Sequence, residues 1–583
     1  MYSVERFTIP EVIEKSSRRY SDRPALSIIG GEAVLFRDLE PKTRRIAAFL
    51  GLLGVKKGDR VALLSENRPE WGLAYFGISR SGAIAVPIMV DFLPEQISTI
   101  LEHSESKVLI ISKRLAGKIS GEGDKRVLVC LDDYSILEAP GGAAATAALV
   151  APDAVDRAAS YFAPPEILAD DLASILYTSG TMGKSKGVML THRNFVFDAV
   201  AARKFIVLRR TDRLLSILPL AHAYEFTIGF LIPMLQGSAV YYLDRPPSAT
   251  ALLPALAAVR PTLVLSVPLV IEKIYHSSIK PALDKIGLYK VPLFRPALEW
   301  VAGLKLKKTF GGKIRFFGIG GAPLSAEVET FLHHARFLYS IGYGLTETAP
   351  LLTGNRPGKV KPHTTGWAST DVELRIGDPR PDTGEGELQA RGANVFPGYY
   401  KDPERTAEAF TADGWFRTGD LAVMEASGRV TVRGRTKTMI LGASGENIYP
   451  EEIEAVLNAS PYVAESLVYG DERGLTALVH LKPEVLERFS ARIKDEIEEA
   501  GVAAANFRAA AQHAAHNAAG KAGVNFEGAE RNLAQTLEMI KRETNSRLAA
   551  FSRLAKVEHQ AEPFEKTPKQ SIKRFLYPRG KKD

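Results

Sequence analysis

The stretch LASILYTSGTMGKSKG, from Leu172 to Gly187, carries the strongest functional signal in the sequence. It begins with a short apolar run, residues 172–177, of the kind that forms a buried strand. In the loop that follows, glycines let backbone N–H groups approach phosphate oxygens, hydroxyls add donors and lysines supply positive charge. The hydroxyls and lysines belong to Ser179, Thr181, Lys184 and Lys186. These residue types predict a loop that binds the phosphates of a nucleoside triphosphate.

The loop differs from the common Walker loop. That motif would need glycine where Thr178 stands, and a helix should begin immediately after it. Here residues 188–190 form another strand-like run, and Thr191 is the first residue suited to cap a helix. We therefore expect the loop to join strand to strand. The alternative is an ordinary Gly/Ser turn with two solvated lysines.

Length and charge narrow the classes of protein. At 583 residues the chain is too long for one hydrophobic core, so two or more domains are expected. A formal net charge of +8 favours anionic partners such as nucleotides, coenzyme A, anionic lipid or nucleic acid. No helix-turn-helix, zinc knuckle or interleaved aromatic pattern accompanies the charge, so we expect no nucleic-acid partner.

The single cysteine, Cys130, excludes an intrachain disulfide and is expected to be a buried small apolar residue.

The same features indicate a compartment. The N-terminal residues contain no apolar core of signal-peptide length, and one cysteine fits a reducing compartment. The longest apolar zone, residues 226–235, is about half of the roughly 20 residues that a membrane helix needs. We therefore expect a cytoplasmic protein, and the basic charge leaves open a peripheral contact with a membrane surface.

The hydrophobic pattern predicts an α/β fold. Between residues 9 and 108, and again after the phosphate loop, amphipathic helical patterns alternate with short apolar strands, which is typical of layered sheets. The predicted helices are 10–19 and 41–53, and the predicted strands are 60–64, 84–86, 108–111, 216–219, 262–267, 314–318 and 337–342. Residues 139–165 are rich in Ala, Gly and Pro and predict a surface connection. Ligands of such sheets gather at the carboxyl ends of the strands.

The pattern changes in the last third of the chain. After residue 372, Gly-rich alternating segments such as 386–390 and 423–432 predict a β-rich subdomain. We expect a large N-terminal domain, 1–435, of layered sheets and helices plus this subdomain, and a smaller α+β C-terminal domain, 436–583. A helical Ala-rich insertion is predicted around 484–554, because alanine favours helix but offers little apolar surface to bury.

The segment GIGGAPL, residues 318–324, follows an apolar strand and precedes a helix that Ser325 can cap. Adjacent glycines allow a flat aromatic ring to lie on the backbone, which makes Gly321 and Ala322 candidate nucleotide contacts. An ordinary strand-to-helix turn is an equal alternative.

The loop YTSGTMGKSKG resembles the signature loop of the adenylate-forming (AMP-binding) superfamily, which includes acyl-CoA synthetases, luciferases and nonribosomal peptide adenylation domains. Met182 and Ser185 replace the usual Thr and Pro, whereas the glycines and lysines stay in place. The resemblance implies ATP and Mg²⁺ as cofactors and coenzyme A as co-substrate. It also implies that the nucleotide is bound by Thr178, Ser179, Gly180, Thr181, Gly183, Lys184 and Lys186.

The segment YGLTET, residues 343–348, resembles the second nucleotide motif of this superfamily. The resemblance places Tyr343 and Gly344 at the adenine, Thr346 near the α-phosphate and Glu347 on magnesium, with Thr178 as a second metal contact. The chemistry agrees, because a hard cation needs carboxylate oxygen and phosphate transfer needs its charge neutralised. The alternative is a surface turn with a helix-capping threonine.

Three further segments resemble family motifs. In PLAHAYEF, 219–226, the resemblance makes His222 a catalytic candidate at the acid pocket, with Tyr224 or Phe226 as aromatic gates, although His222 could equally be a packed core histidine. In GWFRTGD, 414–420, it places Asp420 on the ribose hydroxyls, although such an Asp can also serve only the turn. In RGRTK, 433–437, it makes Arg435 a second ribose contact and Lys437 the hinge of a mobile C-terminal domain. The glutamates that follow are expected to be solvated helix-start charges; they are Glu451, Glu452 and Glu454.

The last family motif is incomplete. The segment EKTPKQSIKR aligns on Thr567, Ile572 and Arg574, which puts Ser571 where the family has a catalytic lysine. Losing one well-placed cation from a transition state costs about a hundredfold or more in rate. Lys569 and Lys573 flank the gap, and a residue two positions away on a strand faces the same side, so either is a candidate substitute. The alternative is a crippled first half-reaction.

The motifs together are most similar to those of long-chain fatty acyl-CoA synthetases. The resemblance implies that ATP and a fatty acid give acyl-AMP and pyrophosphate, after which coenzyme A displaces AMP to form a thioester. One alternative is an acyl-AMP or acyl-carrier-protein ligase with the same first step. Another is a nucleotide- or acyl-binding protein that has lost adenylation because of Ser571.

Overall fold

The computed structural model describes residues 3–119, 126–178, 186–245, 247–436, 438–441, 447–471, 474–485, 524–548, 552–566 and 572–577. The chain divides into two compact units, Met1–Val432 and Arg433–Asp583. The predicted domain boundary, 435/436, lies a few residues further along the chain.

The first unit contains three sheets and the helices that cover them. Its strands are β1 (Pro24–Ile28), β2 (Val34–Leu35), β3 (Arg60–Leu64), β4 (Ile84–Ile88), β5 (Val108–Ile111), β6 (Val127–Cys130), β7 (Ile136–Glu138), β8 (Leu172–Thr178), β9 (Lys186–Thr191), β10 (Arg213–Ser216), β11 (Ala239–Tyr242), β12 (Leu263–Ser266), β13 (Phe316–Ile319), β14 (Tyr339–Ile341), β15 (Tyr343–Gly344), β16 (Leu351–Gly354), β17 (Gly366–Ala368), β18 (Glu373–Gly377), β19 (Gly386–Arg391), β20 (Gly398–Tyr399), β21 (Phe416–Met424) and β22 (Arg429–Arg435). The last of these crosses the boundary between the units.

The α-helices of the first unit are α1 (Ile9–Arg19), α2 (Phe36–Leu52), α3 (Pro69–Arg80), α4 (Pro94–Ser104), α5 (Ala143–Leu149), α6 (Pro152–Ser160), α7 (His192–Ala201), α8 (Ile232–Gln236), α9 (Ala249–Val259), α10 (Pro268–Ile274), α11 (Lys280–Asp284), α12 (Arg295–Thr309), α13 (Ala326–His334) and α14 (Pro403–Glu408). Two π-helices, Glu225–Leu231 and Tyr275–Ile279, run into α8 and α11. Short 3-10 turns are Lys113–Lys118, Ala202–Lys204, Gly287–Lys290, Pro292–Phe294 and Thr346–Thr348.

The phosphate loop lies in an eight-stranded sheet of order β20-β9-β8-β4-β3-β5-β6-β7. Strands β8 and β9 pair antiparallel, so the expectation that the loop joins strand to strand is confirmed. The predicted strands at 60–64, 84–86 and 108–111 are confirmed as β3, β4 and β5, which pair in parallel. Thr191 caps α7 as expected, because its side chain accepts a hydrogen bond from the backbone N–H of Asn194.

The second sheet has seven strands in the order β14-β13-β12-β10-β11-β1-β2, parallel except for β2. The predicted strands 262–267, 314–318 and 337–342 correspond to β12, β13 and β14 with shifted ends. The predicted strand 216–219 is wrong, since β10 ends at Ser216. Asn67 holds the chain beyond it, donating to the carbonyl of Leu218 and accepting from the N–H of Leu220.

The surface connection predicted at 139–165 contains two helices, α5 and α6. Alanine favours helix, and Pro152 suits the first turn of α6 because its fixed φ is helical and it needs no N–H donor there. Both helices are largely exposed, with Val155 the only fully buried side chain described in them. The segment is therefore a helical surface layer.

The third sheet has the order β15-β16-β17-β22-β21-β19-β18. The β-rich subdomain predicted after residue 372 supplies four of its strands, and β15, β16 and β17 come from residues before that start. The apolar zone at 226–235 lies in the core, where the rings of Trp71, Tyr75, Phe226 and Phe230 pack together. Cys130 is buried, as expected. Among the described residues, no helix has both the length and the apolar character that crossing a bilayer requires.

The second unit is α+β. Its elements are β23 (Ile440–Leu441), β24 (Asn447–Ile448), α15 (Pro450–Asn458), β25 (Val463–Asp471), β26 (Gly474–Leu481), α16 (Val524–Asn545), β27 (Leu554–His559) and the 3-10 turn Arg574–Leu576. Strand β26 pairs antiparallel with β25 and parallel with β27. Helix α16 forms most of the described part of the predicted Ala-rich insertion, and residues 486–523 and 549–551 lie outside the described residues.

Candidate active site

The two ends of the phosphate loop face each other across β8 and β9, where Thr178 pairs with Lys186. Glycine follows Lys186 because a Cβ on Gly187 would lie 2.9 Å from Ile175 Cγ2 and 3.2 Å from Tyr400 Cβ. The tip of the loop lies outside the described residues and includes the predicted contacts Ser179, Gly180, Thr181, Gly183 and Lys184. The structure therefore positions the loop by its two ends.

The second nucleotide motif forms β15 and the 3-10 turn Thr346–Thr348, which packs against β9. Gly344 is needed because a Cβ there would lie 1.8 Å from the carbonyl oxygen of Pro350, where the chain doubles back. Buried side chains hold the far side of the turn. Asn394 Nδ2 donates to the carbonyls of Thr348 and Leu351, each at 3.1 Å.

Tyr399 joins the two nucleotide motifs. It lies on β20, which pairs with β9, and its hydroxyl donates to Glu347 Oε1 at 3.0 Å. Lys186 Nζ lies 4.7 Å from the centre of the Tyr399 ring. Burial and the neighbouring carboxylate raise the pKa of Tyr399, so its hydroxyl keeps its proton and acts as a donor. Lys186 and Glu347, which were predicted from separate motifs, thus both contact Tyr399.

The predicted adenine and ribose residues also meet. The hydroxyl of Tyr343 donates to Asp420 Oδ2 at 2.6 Å. Asp420 is 4 % exposed and follows Gly419, which takes a positive φ of 71° in the turn. Its backbone N–H donates to Thr418 Oγ1, whose hydroxyl in turn donates to the carbonyl of Leu388. Asp420 is therefore held by β19 and β21 beside the predicted adenine residue.

The glycines of GIGGAPL lie at the carboxyl end of β13, next to the ends of two neighbouring strands. The N–H of Gly320 donates to Ser266 O after β12, and the N–H of Gly342 after β14 donates to Ile319 O. Gly321 has a positive φ of 85° and is exposed, as is Ala322. Ser325 caps the next helix as expected. The backbone at Gly321 is therefore open to a flat ligand.

The two predicted aromatic gates, Tyr224 and Phe226, lie in different surroundings. Tyr224 packs against the glycines of β13, since a Cβ on Gly318 would lie 2.8 Å from its hydroxyl and one on Gly320 would lie 3.3 Å from its ring. Phe226 is 3 % exposed, and its ring centre is 4.4 Å from that of Tyr75. The prediction that Phe226 is an aromatic gate is therefore wrong, because its ring is buried in the core.

His222 is half-buried, and its Nδ1 accepts the backbone N–H of Tyr224 at 3.1 Å. A neutral ring with Nδ1 as acceptor carries its proton on Nε2, which is then a hydrogen-bond donor. His222 lies in the segment after β10, two residues before Tyr224, and it is Tyr224 that packs against the glycines of β13.

A buried carboxyl group was missed by sequence reasoning. Glu225 begins the π-helix and is fully buried; Ser216 Oγ donates to its Oε1 at 2.5 Å, and Asn67 Nδ2 donates to Ser216 Oγ at 3.0 Å. Burial raises the pKa of Glu225 to about 8. Glycine is needed at 229 because a Cβ there would lie 2.7 Å from the Glu225 carboxyl carbon. The signal in the sequence was a single carboxylate within the apolar run AYEFTIGFL.

In the second unit, Arg435 is the last residue of β22, and Lys437, Lys569 and Ser571 lie outside the described residues. Lys573 Nζ pairs with Glu565 at 3.0 Å. The expectation that Glu454 is solvated is wrong, because it is 9 % exposed, pairs with Arg574 and accepts the N–H of Val468 at 2.7 Å. Glu451 is also partly buried and accepts the Thr438 hydroxyl at 2.8 Å. These glutamates help hold the unit together.

Comparison with known proteins identifies the class. Residues 13–400 match the model of the family described as AMP-binding enzyme. The chain belongs to this family and is an adenylate-forming ligase, as the motifs predicted. ATP is the nucleotide that such enzymes use.

Sequence relatives and a solved structure agree with this class. The chain is 33 % identical to the long-chain-fatty-acid–CoA ligase FadD15 of Mycobacterium bovis, over 76 % of this chain and 77 % of the relative. It is 28 % identical to the long-chain-fatty-acid–[acyl-carrier-protein] ligase AEE15, chloroplastic, of Arabidopsis thaliana, over 83 % and 78 % of the two chains. The ATP-bound structure of MatB from Rhodopseudomonas palustris shares the fold, with a TM-score of 0.70, 23 % identity and coverage of 97 % and 98 %.

Proposed function

We propose that this ligase activates a fatty acid with ATP through an acyl-adenylate and transfers the acyl group to coenzyme A, releasing AMP and pyrophosphate. A carboxylate has no good leaving group, and esterification to AMP provides one. The observation that carries the adenylation step is the hydrogen bond from Tyr343 to Asp420, which joins the predicted adenine and ribose residues. The fatty acid and coenzyme A are supported by the names of the relatives, such as FadD15.

The donor set suits magnesium bound together with the nucleotide. Among the residues that the structure describes, no group of three or more His, Cys, Asp or Glu could hold a metal ion by itself. Mg²⁺ is commonly held by one or two carboxylates plus substrate phosphates, and the Glu347 carboxylate with the Thr178 hydroxyl fits that pattern. When bound, the ion would neutralise phosphate charge during adenylate formation.

The remaining roles follow from the placement of the side chains. Lys186, with the loop lysine Lys184, would neutralise the phosphates, and Thr346 would donate to the α-phosphate. The Nε2–H of His222 would donate to the carboxylate of the fatty acid. Gly321 and Ala322 would line the adenine, and Arg435 would be the second ribose contact.

Because Ser571 stands where the family has its catalytic lysine, adenylation by this chain requires another lysine in that role. We propose Lys569 or Lys573 for this role, on a mobile C-terminal domain, 436–583, that turns about Lys437 relative to domain 1–435. The ion pair of Lys573 with Glu565 is no obstacle, because its glutamate is 64 % exposed and such surface pairs contribute only about 0–1 kcal/mol.

A second candidate function has the same first step and a different acceptor. It is favoured by the relative named as an acyl-carrier-protein ligase, AEE15.

Purified full-length protein should be incubated with Mg-ATP, fatty acids of increasing length and either coenzyme A or holo acyl carrier protein. Acyl-CoA formation supports the first proposal and acyl carrier protein loading supports the second. ATP binding without pyrophosphate release would mean that Ser571 marks a chain that has lost adenylation.

A further inference from the structure

Large apolar side chains are exposed together between residues 286 and 304. Leu293 is 82 % exposed, Val301 56 %, Leu288 55 %, Leu304 50 % and Trp300 44 %. Single exposed apolar residues are normal on a protein surface, whereas a contiguous patch marks an interaction site.

The rotation of α12 about its own axis accounts for this exposure, because it decides which side chains face the core. Its buried residues, Glu299, Gly303 and Leu306, lie on one face, and Gly303 packs so closely on α13 that a Cβ would lie 2.5 Å from the carbonyl oxygen of Ala335. Residues spaced by three and four positions share a helix face, so Trp300, Val301 and Leu304 point away from the core. The close contact at Gly303 prevents the helix from turning to bury them.

The turns before α12 are fixed to it. The hydroxyl of Tyr289 donates to Glu299 Oε1 at 2.8 Å, and His334 Nδ1 lies 2.6 Å from Glu299 Oε2. Arg295 Nε donates to the carbonyl of Tyr289 at 3.0 Å. Leu288 and Leu293 therefore belong to a preformed surface that continues the exposed side of α12.

The exposed charges within residues 286–309 are all basic, whereas the neighbouring helix α11 ends with an exposed acid, Asp284, followed by an exposed Lys285. Lys290, Lys305, Lys307 and Lys308 are exposed at its border. Glu299 is the only acidic residue between 286 and 309, and it is 7 % exposed and bonded internally to Tyr289 and His334. An apolar centre with a basic border is complementary to the acyl boundary and anionic headgroups of a lipid bilayer.

We propose that this apolar-basic face, formed by Leu288, Leu293, Trp300, Val301, Leu304 and the bordering lysines, docks on an anionic membrane surface. Tryptophan and leucine side chains enter the boundary between headgroups and acyl chains, while lysines reach phosphate groups through their flexible stems. Helix α12 lies on the surface rather than crossing it, because it is 15 residues long and a crossing helix needs about 20 apolar residues. A symmetric pairing of two copies through this face is disfavoured because it would bring lysine against lysine.

The test is flotation of full-length protein with vesicles of phosphatidylcholine alone or mixed with phosphatidylglycerol, at low and high salt. An apolar variant combines Trp300→Ser, Val301→Ser and Leu304→Ser, and a charge variant combines Lys305→Gln, Lys307→Gln and Lys308→Gln. The matched control combines Leu149→Ser and Tyr161→Ser, which change side chains that are 61 % and 88 % exposed elsewhere. Circular dichroism checks folding, and Leu293→Ser replaces the apolar triple variant if that variant does not fold.

We expect salt-sensitive binding to the anionic vesicles that is retained by the control. The charge variant should lose about a hundredfold in partition coefficient, since each of its three lysines near an anionic surface contributes about fivefold. Absence of vesicle binding, or equal binding by all variants, would overturn the proposal. Dimerisation in sedimentation runs that both face variants abolish would assign the face to a second copy instead. Ligase activity measured without vesicles is a separate result, so failure here and failure of the proposed function are distinguishable.

Discussion

The hydroxyl of Tyr343 donates a hydrogen bond to Asp420 Oδ2 at 2.6 Å, which joins two motifs 77 residues apart in the chain. Each residue was predicted from its own motif, one as an adenine contact and the other as a ribose contact. Because the acceptor is a buried carboxylate, the bond fixes the tyrosine ring relative to the acidic group that would hold the ribose.

Replacing Tyr343 with Phe or Asp420 with Asn should weaken ATP binding. A hydrogen bond to a charged group contributes about 1.5–3 kcal/mol, so the KM for ATP should rise about tenfold to a hundredfold. Steady-state pyrophosphate release measures this. Tyr289→Phe is the matched control, since it also removes a hydrogen bond to a glutamate, at 2.8 Å, but outside the site. Equal KM values in Tyr343→Phe and Tyr289→Phe would contradict the assignment.

Tyr399→Phe should change the dependence on magnesium. The variant keeps the ring beneath Lys186 but loses the hydroxyl that donates to Glu347 at 3.0 Å, so the proposed metal-binding carboxylate is less well oriented. We expect the Mg²⁺ concentration for half-maximal activity to rise about tenfold. The neighbouring Tyr400→Phe is the control, because the Tyr400 ring lies against His103 instead. A magnesium titration in which the two variants coincide would remove Tyr399 from this role.

Asn394→Ala should loosen the turn that carries Thr346 and Glu347. Asn394 donates to two carbonyls at the far end of this turn, those of Thr348 and Leu351, so we expect a loss of about 1–3 kcal/mol in unfolding free energy. Thr227→Val removes a third hydrogen bond to this segment, which the Thr227 hydroxyl donates to the carbonyl of Ala349 at 2.7 Å. Both variants should also raise the KM for ATP at temperatures where they are fully folded. Lower stability with unchanged ATP affinity would show that these residues support only the fold.

Glu225→Gln tests the buried carboxyl through the pH dependence of stability. Burial raises its pKa from 4.5 to about 8, so between these values the folded chain holds a proton that the unfolded chain has lost. The unfolding free energy of the wild type should therefore fall as the pH rises through this range, by up to about 1.4 kcal/mol per pH unit from this group. Above pH 8 the dependence should level off.

The glutamine variant cannot ionise, so its stability relative to the wild type should increase from pH 5 to pH 8. Urea unfolding of both proteins across this range measures the difference. Glu95→Gln, at an exposed helix start, serves as the control. Parallel pH profiles of wild type and Glu225→Gln would mean that the carboxyl is charged in the folded protein.

Much of the first unit could be predicted because its strands are continuous apolar runs. The phosphate loop with its two flanking strands, β3 to β5 and the caps at Thr191 and Ser325 all follow from local pattern and residue chemistry. Tyr343, Glu347 and Asp420 were found because their motifs are specific. The error at 216–219 arose where a distant side chain, Asn67, decided the backbone, and the helices within the surface connection 139–165 follow from alanine propensity, which was not used there.

The residues that support the site were not predictable in the same way. Asn67 reaches Ser216 across 149 residues, and Asn394 reaches Thr348 across 46, so no local pattern relates them. Tyr399 meets Glu347 only because β20 adds to the edge of β9. Their roles depend on sheet order, which single-sequence periodicity does not determine.

Formation of an acyl-adenylate is tested most directly by fatty-acid-dependent exchange of labelled pyrophosphate into ATP, which requires no thiol acceptor. It should be run on the wild type with Mg-ATP and a ladder of fatty acids, beside Lys569→Ala and Lys573→Ala. We predict exchange that requires a fatty acid and that falls about a hundredfold in one lysine variant. Absence of exchange with every acid, although ATP binds, would show that the chain does not form a fatty acyl-adenylate.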